Sequence, residues 1–195
     1  MPARSFGATA AALGLDGRTT RTDGAPDSGM VDLGYHYAGG SPEVSNIVLY
    51  VDVTNGVDSA DGWTWGTALK TITAALGKAI DGSTINIAAG RYATNTGESF
   101  PLLLQDNNLS FIGAGRDSTL IDASLSNRAV EATARGQLWF EGLTVSNGSA
   151  VQKYGAGFYL RGCQTVVTNC RVAFNRFVNS TDLGWYGVGL YVLNG

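Results

Sequence analysis

The stretch GAGFYLRGCQTVVTNCRVAFNR, residues 155–176, constrains this chain more than any other. It reads as one turn of a repeat: a short strand at Phe158–Arg161, a polar corner, a second strand at Thr165–Val172, then an asparagine turn. Related pieces flank it, LWFEGLTVSNG before and GVGLYVLNG after. A unit this short cannot bury its own apolar face and must stack on copies of itself. The expected product is an elongated coil of parallel strands.

Inward positions of that coil can be aligned. Ile121, Val145 and Val172 are separated by 24 and 27 residues, and Gly155 and Gly187, each opening a Gly-x-Gly strand, by 32. Strands keep register while loops absorb insertions, so FVNSTDLGWY reads as a loop inserted into one coil. Charged residues make up only 15% of the chain and glycine 27 of its 195 residues, which suits short strands joined by tight turns. A net charge of -3 leaves no basic footprint for nucleic acid. No apolar run approaches the roughly 20 residues of a membrane span. The opening MPARSFGATAAALGLDG is broken by Asp16 and carries no clear cleavage site for a secretion signal.

The chain divides by composition. Residues 1–40 are turn-rich and close on a short aromatic strand, VDLGYHY, and read as a separate extension or the tail of another module, with residues 41–46 as a linker. From Ile47 to Gly195 runs the coil domain. Within it Leu69, Ile72, Leu76 and Ile80 fall at helical spacing, which predicts a helix over about 67–81, N-capped by Thr67 and stopped at Asp81-Gly82. Such a helix can cover the open end of the first coil, with Trp63 and Trp65 packed around it.

Residues 50–92 carry an opening strand at Tyr50, a D-x-x-DG loop over Asp58–Gly62, Trp63, a K-T-I segment at Lys70–Ile72, and a strand ending in A-x-G-x-Y at Ala88–Tyr92. With SFIGAG at 110–115 and the GAGFYL coil, this resembles the right-handed parallel β-helix proteins of the pectate-lyase-like superfamily. The resemblance covers residues 47–195 and implies an all-β, single-stranded, right-handed parallel β-helix of a secreted or cell-surface bacterial protein. Residues 1–40 separately resemble the closing segment of such proteins. The fold hosts lyases, other glycan-active enzymes, adhesins and surface repeats, so it does not assign a reaction.

Candidate sites each carry a plainer alternative. Asn55, Asp58 and Asp61 offer oxygen ligands for calcium, or ordinary turn chemistry. No motif requires a cofactor. Lys153, Arg161, Arg171 and Arg176 fall on adjacent coils and could serve β-elimination of a uronate polymer, or be solvated charges of an outer face. Trp185 and Tyr186 could stack on sugar rings or anchor their loop. Cys163 and Cys170 suit coil turns and interior, and Asn147, Asn169 and Asn175 suit coil corners.

The leading expectation is binding of extracellular polysaccharide or another surface. A polysaccharide lyase or hydrolase with its site partly outside the chain and a structural spacer are the alternatives. The last coil ends at Asn194-Gly195 without a cap, so the expectation is a fragment, or, were that end native, self-association along a strand edge.

Overall fold

The computed structural model describes residues 18–19, 37–38, 46–105, 108–133, 136–151, 154–178 and 187–193. The chain divides into two units, Met1–Val44 and Ser45–Gly195. In the first, β1 (Arg18–Thr19) pairs antiparallel with β2 (Tyr37–Ala38). The proposed linker falls almost wholly outside the described residues.

The second unit opens with β3 (Val48–Val51), continues through a one-turn helix α1 (Ile72–Leu76), and then winds. Its first coil is β4 (Ser83–Ile87), β5 (Gly90–Ala93) and β6 (Leu102–Gln105). The second is β7 (Leu109–Gly113), β8 (Thr119–Asp122) and β9 (Val130–Thr133). The next comprises β10 (Gln137–Glu141), β11 (Thr144–Ser146), β12 (Ser149–Ala150) and β13 (Phe158–Arg161). Then follow β14 (Gln164–Thr168), β15 (Arg171–Ala173), β16 (Arg176–Phe177) and β17 (Leu190–Leu193).

Every strand of a coil pairs in parallel with its counterpart in the next. The first sheet runs β3-β4-β7-β10-β14, the second β5-β8-β11-β15, the third β6-β9-β13-β17, and β12 pairs with β16. The architecture is all-β, a parallel solenoid of about three turns.

The period-2 alternation of short strands sends alternate side chains inward. In the first sheet Ile85, Phe111, Phe140 and Val167 share one register position. In the second sheet Ile121, Val145 and Val172 do, as the residue spacing predicts, and Tyr92 shares the position with them. Gly155 N–H donates to Gly187 O at 3.1 Å, so the longer interval also keeps register. The inward residues form one continuous core from Leu49 to Cys163. Both cysteines are free thiols, Cys163 buried and Cys170 half-buried.

The long helix expected over 67–81 does not form. Leu69 is extended instead: its N–H donates to Tyr50 O, its carbonyl accepts from Asp52 N–H, and it bridges Val51. A residue whose main chain is committed to a strand edge cannot open a helix. Thr71 replaces Thr67 as N-cap, its hydroxyl accepting from Ala74 N–H at 3.0 Å, and Gly77 ends the helix. Ile72 and Ala75 enter the core, but Ile80 is 41% exposed. Nor do the tryptophans surround the helix. Trp63 is exposed, and Trp65 meets Tyr50 edge-on at 4.7 Å.

Candidate functional site

Outward-facing residues decide what a solenoid can touch. On the first sheet the outward positions of β7, β10 and β14 are Ser110, Trp139 and Val166, in register. Leu138 and Phe140 on either side of Trp139 are buried, so strand alternation turns the indole out, and it remains 40% exposed. Its Nε1–H donates to Glu141 Oε2 at 3.0 Å, which fixes the ring's orientation.

Beside this row runs a ladder of side-chain amides, where each coil enters the first sheet. Asp81 Oδ1 accepts from Asn108 Nδ2–H at 2.8 Å, and Asn108 Oδ1 accepts from Gln137 N–H at 2.7 Å. Gln137 Nε2–H then donates to Gln164 Oε1 at 3.3 Å. Successive members lie 27, 29 and 27 residues apart, one coil each time. Gln137 Oε1 and Gln164 Nε2 make no hydrogen bond among the described residues, and both side chains belong to exposed residues. Trp139, Ser110, Val166 and the three amides line a groove of about 290 Å³.

Two other faces carry chemistry. On the second sheet Arg171 pairs with Asp117 at 2.8 Å beside Phe174, which is 82% exposed. There the carboxylate of Asp122 is buried and accepts from Arg91 Nε–H at 2.8 Å, Asn147 Nδ2–H at 2.9 Å and Ser124 N–H at 2.8 Å. Burial alone would raise its pKa, but these donors outweigh it and hold the carboxyl below its ordinary value. On the third sheet Glu131, Tyr159 and Tyr191 share a register position. The rings of Tyr159 and Tyr191 stack at 5.7 Å, and the Arg128 guanidinium lies 4.7 Å over Tyr159. Arg128 is itself bound to Gly155 O at 3.1 Å and to Glu131.

The residues singled out from sequence scatter over these faces. Arg161 ends β13, Arg171 begins β15 and Arg176 begins β16, so they occupy three different sheets and do not converge. Lys153, Trp185 and Tyr186 lie outside the described residues. Asp58 is committed to the start of α1: Oδ1 accepts from Lys70 and Thr71 N–H at 2.9 and 2.8 Å, and Oδ2 from the Thr71 hydroxyl at 3.1 Å. Asp61 Oδ1 accepts from Trp63 N–H, and Asn55 Nδ2–H donates to Asp52. Among the described residues no three His, Cys, Asp or Glu side chains group as a metal site would. None of the described helices is long and apolar enough to cross a membrane.

Sequence reading passed over Trp139, although the alternation in LWFE already turns it outward. The amide ladder carried a weaker signal, an amide just before β7 and one opening each of β10 and β14.

A search of curated proteins and a search of solved structures each gave no match. Residues 54–136 match the model of a family described as "Protein of unknown function (DUF1565)". That family is associated with right-handed β-helix proteins. The match runs from the loop after β3 to the turn before β10, and over those first coils this solenoid is similar to that family.

Proposed function

We propose that this solenoid binds extracellular polysaccharide, and that the groove on the first sheet is where it does so. The observation that carries this reading is the outward indole of Trp139 beside a ladder of amides repeated coil by coil. A flat aromatic face covers the apolar C–H face of a sugar ring, while amides supply both donors and acceptors to its hydroxyls. The lyase alternative gains nothing from the arginines, which lie on separate sheets.

Retention by immobilised polysaccharides in affinity electrophoresis tests the reading. The wild-type chain is expected to be retarded by at least one glycan without releasing products, and the Trp139→Ala chain to migrate freely. Equal retardation of both chains, or none across neutral and acidic glycans, would overturn it.

A further inference from the structure

Resting on that reading, we infer that the occupant is an uncharged, flat, equatorially linked glycan lying along the solenoid axis, with one sugar unit over each coil. The groove's lining argues for absence of charge. Asn108, Ser110, Gln137, Trp139, Gln164 and Val166 are all neutral, and no cationic side chain is among its described lining residues. The two carboxylates that fix its polar groups, Asp81 behind Asn108 and Glu141 behind Trp139, put negative charge at its border. A polyuronate would meet repulsion there and no compensating cation.

The ladder argues for direction and shape. Coils in parallel register stand roughly 4.8 Å apart, close to the length of a pyranose unit in an extended equatorially linked chain. A glycan lying along the axis therefore presents successive rings to successive coils, and its hydroxyls meet Gln137 and Gln164 in turn. Equatorial hydroxyls leave both ring faces apolar, which is the surface that Trp139 can cover. An axially linked chain coils away from so straight a row.

Isothermal titration with β-1,4-linked gluco-oligosaccharides and with oligogalacturonates, each of increasing length, tests this. Affinity for the neutral series is expected to rise with length and level off once the chain spans the coils of Asn108, Gln137 and Gln164. It should be indifferent to salt, and weaken about tenfold in Trp139→Ala. Trp139 and Gln164 are exposed or partly so, and Gln164→Ala is expected to weaken binding less while leaving the fold intact. Preference for the oligogalacturonates, abolished by Trp139→Ala, would overturn the inference and leave polysaccharide binding standing. Failure of both series would overturn the inference, and if the polysaccharide panel also fails, the binding reading falls with it.

Discussion

The ring of Phe111 lies on the ring of Phe140 with centroids 4.9 Å apart and planes within 9°, and the two residues are direct partners between β7 and β10. Phe158 then meets Phe140 edge-on from the third sheet at 5.0 Å. A solenoid's stability is close to a sum of such coil-to-coil contacts, so the residue touching most neighbours matters most. Phe140→Ala is expected to destabilise the chain by about 3–5 kcal/mol, and Phe140→Leu by much less. Urea unfolding followed by circular dichroism measures both. A small loss in Phe140→Ala would mean that the coils on either side do not depend on this stack.

Glu98 is expected to make stability fall as pH rises. The residue is 3% exposed, and its carboxylate accepts from Ile72 N–H, from Thr73 N–H at 3.1 Å and from the Thr73 hydroxyl at 2.7 Å. Burial pushes its pKa above the ordinary 4.5, against the opposing pull of these hydrogen bonds. A carboxyl raised in the native state binds its proton more tightly when folded. Its contribution is therefore complete below the ordinary value and lost as pH rises through the native one. Glu98→Gln should flatten that part of the pH–stability curve. A curve with unchanged slope in the variant would assign the effect elsewhere.

Asp122 works in the opposite sense. Its native pKa lies below the ordinary 3.8, so its contribution is present above that value and lost as pH falls through the native one. Asp122→Ala leaves the Asn147 amide and Ser124 N–H without their acceptor, at a cost of about 1–3 kcal/mol near neutral pH. Acid titration of the wild-type chain and the Asp122→Asn chain, read by unfolding midpoint, should converge as the pH drops. Parallel curves would show that the carboxylate's charge is immaterial to the fold.

How much of this was legible in sequence depends on what fixes each feature. The alignment of Ile121, Val145 and Val172 could be read because inward β-branched residues must superpose whatever the loops between them do. Apolar periodicity overextends the helix for a related reason. Leu69 has the apolar spacing of a helix, but its backbone is claimed by Tyr50 and Asp52, neighbours that periodicity does not reveal. Asn147 and Asn169 do take left-handed backbone, at φ 52° and 47°, whereas at the next corner Phe174 takes it, at φ 56°. Asn175 instead ties two coils together, accepting from Gly148 N–H at 2.7 Å and donating to Val145 O at 3.3 Å. For the groove, alternation reveals that Trp139 points out. Its amide neighbours come from other coils, and only the register brings them beside it.

That corner also sets the sharpest steric test. A Cβ placed on Gly148 would fall 1.9 Å from Ala156 O and 2.8 Å from Asn175 Oδ1, so main chain blocks it on one side and the coil-to-coil amide on the other. Neither can withdraw without breaking the turn between β11 and β13. Gly148→Ala is expected to destabilise by roughly 2–4 kcal/mol, at the upper end of single substitutions. Gly66 supplies the control, since the nearest atom to its Cβ position is Thr64 Oγ1 at 3.7 Å, an ordinary contact. Gly66→Ala should be neutral or stabilising by a few tenths to about 1 kcal/mol through the unfolded chain. Thermal unfolding of both variants distinguishes the cases. If Gly148→Ala unfolds with the wild type, the chain around Ala156 must have another course, and with it the packing of β12 beneath β16.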